Sequence, residues 1–199
     1  MSEKMKLAAT GDSIINMKVS MHEEEDFLYL FDLIGEADVR FTNFEVICCE
    51  FDKGYPQAEY GIPYQIAEPH LVDEFKWAGF NIVSRANNHT LDWGYEGMFS
   101  SSRLLDDRGI VHSGVGKNLS EARSPGYLET DKGRVSLIST ASSFPNFSRA
   151  GEARRDVQGR PGLSPLRYRR ELQVTKEDLE ELKIILKKIN ANMAIGPIE

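Results

Sequence analysis

Phe80-Asn81-Ile82-Val83-Ser84-Arg85-Ala86-Asn87-Asn88-His89-Thr90-Leu91-Asp92-Trp93-Gly94 is the stretch on which the fold of this chain turns. Its first half is a short run of apolar and β-branched residues and reads as a buried strand. Residues 95–107 then carry the pattern of a helix, with Gly109 as its stop. Two carboxamides, an imidazole and a carboxylate therefore crowd one strand-to-helix turn. In an open α/β sheet, ligand sites form at the carboxyl ends of the strands, so metal or phosphate chemistry is the first thing to test there. Taken alone, Asn-Asn-His is equally an ordinary turn, because Asn tolerates the left-handed region and a lone His is usually structural.

Working outward, residues 6–10 read as a strand ending at Gly11-Asp12, and residues 38–43 as another leading into Phe44-Glu45. Between them, residues 23–34 are amphipathic, with acids in the first turn and Gly35 as a stop. A loop rich in Gly, Pro and Tyr follows over 52–63; its Tyr55 and Tyr60 read as turn packing rather than pocket walls. Residues 69–78 form a helix closed by Gly79. Further strands are expected at 110–113 and 134–140, with a brief helical turn at 119–122. Strands alternating with helices imply an α/β fold with a largely parallel sheet.

That α/β portion spans residues 1–143. Residues 144–174 form an Arg/Pro/Gly-rich loop, too long for a simple connection. Over residues 144–170, Arg149, Arg154, Arg155, Arg160, Arg167, Arg169 and Arg170 stand against only Glu152 and Asp156. The loop is either an anion clamp, since the Arg fork pairs bidentately with phosphate or carboxylate, or a solvated segment balancing an acidic domain, the reading favoured. Residues 175–199 are an amphipathic helix and a short tail. Thr175 to Asp178 is a variant capping box, Leu179, Leu182, Ile185, Leu186 and Ile189 form one apolar face, and residues 193–195 read as a strand stub.

The 199 residues carry a net charge of −7, which argues against a general nucleic-acid binder. No apolar run reaches the length of a membrane span, and the first residues lack a signal-peptide core, so a cytoplasmic protein is expected. Cys48 and Cys49 are adjacent and lack zinc-knuckle or thioredoxin spacing; they read as buried reduced thiols.

Three polar clusters fall at strand ends: Gly11-Asp12, Asn43-Phe44-Glu45 and Asn87-Asn88-His89. Parallel strands bring such ends to one sheet edge. Carboxylates, an imidazole and a side-chain carbonyl suit a divalent ion such as Mn, Zn, Fe or Mg. These motifs (Ala9 to Asp12, Arg40 to Glu45, Ala86 to Gly94), with Gly114-Val115-Gly116 and Asn118 to Ala122 following, resemble in order those of the CapA family. These are capsule or poly-γ-glutamate synthesis proteins of the calcineurin-like metallophosphatase superfamily. The resemblance covers residues 7–140.

It implies a metallophosphoesterase-like β-sandwich flanked by helices. By the same resemblance Asp12, Glu45 and Asn88 are the metal ligands, and His89 is the general acid or electrostatic stabiliser beside the substrate. Asn43, Asn87, Asp92, Arg160 and Arg167 are candidate substrate contacts, with Asp92 also a cap for the next helix or an orienting partner of His89, the cap being favoured. Ile14 stands where the superfamily's first motif has a histidine, and no histidine follows His112. His22, His70 and His112 match no motif and read as structural or surface residues. The chain thus resembles the N-terminal portion of a family member, with the sandwich incomplete at its C-terminus. The implied activity is metal-dependent hydrolysis of a phosphoester or a peptide-like capsule polymer, acting on an anionic small molecule or polyglutamate-like peptide. The alternative is a non-catalytic anion- or peptide-binding module that has lost its metal. An incomplete sheet leaves edges open, so self-association as a homo-oligomer is expected.

Overall fold

The computed structural model describes residues 4–58, 63–169, 171 and 173–188. Tyr60, Arg170, Ile189 and residues 193–195 lie outside them. Two compact units are present, Met1–Leu166 and Arg167–Glu199.

In the first unit the strands are β1 (Leu7–Ser13), β2 (Val39–Phe44), β3 (Ile47–Cys48), β4 (Ile66–Ala67), β5 (Ile82–Ser84), β6 (Val111–Ser113), β7 (Val115–Gly116), β8 (Gly126–Thr130), β9 (Gly133–Leu137) and β10 (Gly162–Leu163). Its helices are α1 (Glu25–Gly35), α2 (Val72–Trp77), α3 (Gly94–Asp107) and α4 (Leu119–Ala122). The expected parallel sheet is there, in the order β1-β2-β5-β6. Val39, Phe44, Ile82 and Val83 are buried at its centre, and Leu71, Phe75, Leu105 and Ile110 share one core cluster with Phe44 and Val83. Burying each such side chain contributes about 1.5–3 kcal/mol, so this layer fixes the positions of the strand ends. Among the described residues the other pairings, β3-β4, β7-β10 and β8-β9, are each two-stranded.

Three local expectations need correction. The strand expected at 134–140 is present but ends at Leu137 and lies outside the parallel sheet: β9 pairs antiparallel with β8 in a hairpin whose turn is Asp131-Lys132. The alternation Tyr127 out, Leu128 in, Glu129 out is a strand signal hidden by its charge. Residues 69–78 split into a 3-10 turn over Pro69–Leu71 and then α2. The arginine-rich segment is partly built into the first unit: β10 pairs antiparallel with β7, and Ala150 and Leu163 are buried.

The second unit contains α5 (Lys176–Lys188). Thr175 caps it, accepting the Asp178 N–H at 3.1 Å and donating its hydroxyl to the Asp178 carboxylate at 2.8 Å. Leu179, Leu182 and Leu186 are half-buried, and no residue of α5 is fully buried. Among the described residues no helix is long and apolar enough to cross a membrane. Cys48 and Cys49 are free and buried, and burial pushes their thiols up to about 12 and about 11.

Candidate functional site

The site begins with an irregularity in β1. Ala9 pairs with Phe41, yet Asp12 pairs with Asn43, so β1 holds one residue more than β2 over this interval. Such a bulge re-aims the side chains beyond it. Buried Thr42 supports it, donating to the Gly11 carbonyl at 3.0 Å, accepting from Thr10 Oγ1 at 2.8 Å, and lying 2.5 Å from Ser13 Oγ. Asp12 thereby meets Asn43 rather than projecting one position out of step.

Asn43 links the carboxylates. Its amide nitrogen donates to Asp12 Oδ1 at 2.8 Å and to Glu45 Oε2 at 3.0 Å. Its oxygen accepts from Asn87 Nδ2 at 3.2 Å, and that nitrogen also donates to the Phe44 carbonyl at 3.0 Å. The Asn87 oxygen in turn accepts the His89 N–H at 3.1 Å. Thr90 shapes the turn: its hydroxyl takes the Asn87 N–H at 3.1 Å and lies 2.8 Å from the Arg85 and Asn87 carbonyls. A continuous polar chain therefore runs from β1 through β2 to the turn after β5.

His89 is buried, with Nδ1 2.6 Å from Asp92 Oδ2 and Nε2 3.8 Å from Glu45 Oε1. The same Asp92 oxygen accepts the Gln65 N–H at 2.7 Å, so it acts as an acceptor and Nδ1 carries the proton. That leaves Nε2 directed at the carboxylate pair.

The two carboxylates are electrostatically unequal. The Asn43 hydrogen bond, reinforced by one with Glu45, holds exposed Asp12 below its ordinary value. Burial, with the Asp12 charge adding to it, raises Glu45. Asp92 is also raised, by burial, against the opposing hydrogen bonds from Gln65 and His89. Among the described residues no three His, Cys, Asp or Glu side chains close into a ready metal cage. Asp12 and Glu45 supply two charged oxygen donors. Half-buried Asn88 has no side-chain hydrogen bond among the described residues.

Asp12, Asn43, Glu45, Asn87, His89 and Asp92 thus come together as one cluster. Two expected roles change. Asp92 does not cap α3, whose N-cap is Trp93 without a side-chain bond; its carboxylate is held inward by His89 and Gln65. Asn87 likewise spends its amide within the protein, on Asn43, Phe44 and His89. Arg160 lies away from the carboxylates, donating to the Tyr95 hydroxyl at 3.0 Å and the Phe147 carbonyl at 2.5 Å. Arg167 belongs to the second unit. His22 and His70 are exposed beside Glu24 and Glu68, and His112 stands 3.3 Å from Asp106. Thr42 and Gln65 escaped sequence reasoning, since Thr42 sits inside a strand pattern and Gln65 acts through its backbone.

Comparison with known proteins gives concordant matches. The profile of the family described as Bacterial capsule synthesis protein PGA_cap matches residues 6–195. Uncharacterized proteins y4sH and y4uA of Sinorhizobium fredii (strain NBRC 101917 / NGR234) are each similar at 41% identity over 181 residues, 90% of this chain and 39% of theirs. Capsule biosynthesis protein CapA of Bacillus anthracis is similar at 24% identity over 149 residues, 72% of this chain and 36% of its own. The chain spans less than two fifths of the length of these curated relatives.

Proposed function

The chain belongs to the bacterial capsule synthesis protein family, and from that premise we propose that it is the metal-binding portion of a CapA-like hydrolase with a calcineurin-like metallophosphatase fold. The observation that carries this reading is the Asp12–Asn43–Glu45 bridge beside a histidine aimed by Asp92. A divalent ion fits the donor chemistry: two carboxylates held together at one amide, with the Asn88 carboxamide bonding nothing else among the described residues. Asp12, Glu45 and Asn88 would hold it, and once bound it supplies Lewis-acid polarisation of a phosphoryl or carbonyl oxygen.

The chain's own groups do the rest. Asp92 fixes the His89 ring and its tautomer, so Nε2 faces the reacting centre, where it takes up or delivers a proton or steadies developing negative charge. Asn87 anchors the His89 backbone, and Thr42 holds the bulge that sets Asp12. The substrate class is an anionic phosphoester or a polyglutamate-like peptide; the name of the Bacillus anthracis relative supports a capsule polymer as the setting. Hydrolysis of bis(4-nitrophenyl) phosphate and of poly-γ-glutamate in Mn²⁺ tests this. Turnover of either that is lost in Asp12→Ala and His89→Ala is the expected result; metal bound without turnover of either removes hydrolysis.

The second reading, an anion- or peptide-binding module without metal, is favoured by one feature: the Asn43 amide donates to both carboxylates and so holds them together itself. Unchanged binding of poly-γ-glutamate in excess chelator is its expected signature.

A further inference from the structure

We propose that a cavity beside the His89 turn is a binding site for a phosphate monoester carrying a planar ring, an aryl or nucleoside phosphate. The cavity measures about 650 Å³, within the range of small-molecule sites, and Tyr55, Pro56, Leu91, Tyr95, Asn146 and Phe147 line it. Its inner wall is the turn whose Asp92 aims His89. The opposite wall is tied to that turn by the Gln57 N–H, which donates to the Asp92 carbonyl at 2.9 Å.

The wall chemistry selects the ligand. Tyr95 and Phe147 are half-buried and pack from behind on the core of Leu91, Met98 and Leu163, so their rings are fixed surfaces. Flat aromatic walls favour a planar ring by stacking or edge contact. Two arginines are held against lining residues, while the Glu96 carboxylate lies beside Gly94 on another side. Arg160 is held by Tyr95 and Phe147, and Arg149 donates to Asn146 at 3.0 Å while lying over Phe144. Among the described residues neither guanidinium is within ion-pair distance of a carboxylate. Each keeps N–H donors to spare for an anion, in the fork geometry that suits phosphate. An apolar slot with two anchored, carboxylate-free arginines is complementary to a ring joined to a phosphate. The proposal rests on the hydrolase reading only for what happens to that phosphate; the binding itself is independent of it.

The test is calorimetric titration of the full chain with phenyl phosphate and methyl phosphate, and with AMP and ribose 5-phosphate. Phenyl phosphate is expected to bind about tenfold more tightly than methyl phosphate, the worth of burying one ring. A matching gain of AMP over ribose 5-phosphate assigns the nucleoside source; its absence beside the phenyl gain assigns the aryl source. Phe147→Leu should shrink the ring preference, and Arg160→Gln should weaken all four anions about tenfold. Equal affinity for ringed and ringless phosphates overturns the proposal, as does an Arg160→Gln protein that binds like the parent. Ring-selective binding with no turnover of any phosphoester leaves the cavity standing and the hydrolase reading fallen. Turnover without ring preference does the reverse.

Discussion

His89 Nδ1 lies 2.6 Å from the carboxylate of Asp92, a residue only 1% exposed, three positions later on the same turn. A buried carboxylate that receives both this N–H and the Gln65 N–H fixes one ring orientation. Replacing Asp92 by Asn keeps the shape but lets the ring exchange tautomers. Under the proposed hydrolase function, turnover by Asp92→Asn is expected to fall roughly 10- to 100-fold. The ¹⁵N shifts of His89 should report a changed tautomer mixture, and an unchanged spectrum would show that Asp92 does not set it.

Asn43 has the complementary duty of holding two carboxylates together. Asn43→Ala removes the amide from Asp12, Glu45 and Asn87 at once. The variant is expected to lose about 1–3 kcal/mol of stability in urea unfolding, because polar groups of buried Glu45 and Asn87 lose a partner. Saturating Mn²⁺ should return part of that loss by binding the folded state. A variant as stable as the parent in chelator would show that the bridge contributes nothing.

A pH effect follows from His112 on β6. Burial first, and then the nearby buried Arg85 guanidinium, push its pKa from 6.5 down to about 4. The unfolded chain binds a proton near 6.5, whereas the folded protein resists it until about 4. Stability is therefore full above pH 6.5 and falls as the pH drops through that window, by about 3–4 kcal/mol at most. Urea unfolding at pH 7.5 and 4.5 checks this. His112→Gln should flatten the slope, and a slope that survives the substitution assigns it to other groups.

Gly97 sets a third constraint, where α3 crosses β3. An added Cβ would lie 2.7 Å from Trp93 Cβ and 2.8 Å from Ile47 Cγ2. Ala gains about 1 kcal/mol of helix propensity over Gly, but overpacking costs typically about 1–3 kcal/mol. Gly97→Ala is expected to lower the melting temperature, and a rise would mean that α3 slides freely on β3.

The parallel sheet was readable in the chain because its strands are apolar runs closed by turn residues, and three of those runs end in Asp, Glu, Asn or His. Parallel topology brings the ends of β1, β2 and β5, and with them Asp12, Glu45 and His89, to one edge of the sheet. What escaped was local and relational. The β1 bulge has no pattern, since it depends on the register against β2. Asp92 looked like a cap because Asp before a helix usually is one; only the fold brings Gln65 and His89 onto its carboxylate. The docking of residues 144–166 depends on β10 meeting β7, a two-residue pairing too short to carry a periodicity.

Asp12 and Glu45, joined at Asn43, are the proposed charged ligands of a divalent ion. Calorimetric titration of the metal-free chain with Mn²⁺, beside Asp12→Ala, tests this assignment most directly. Weak but saturable binding near one ion per chain is expected, because Asp12, Glu45 and Asn88 offer only three donors, with at least about tenfold loss in the variant. No heat of binding, or the same affinity in both proteins, would contradict the account.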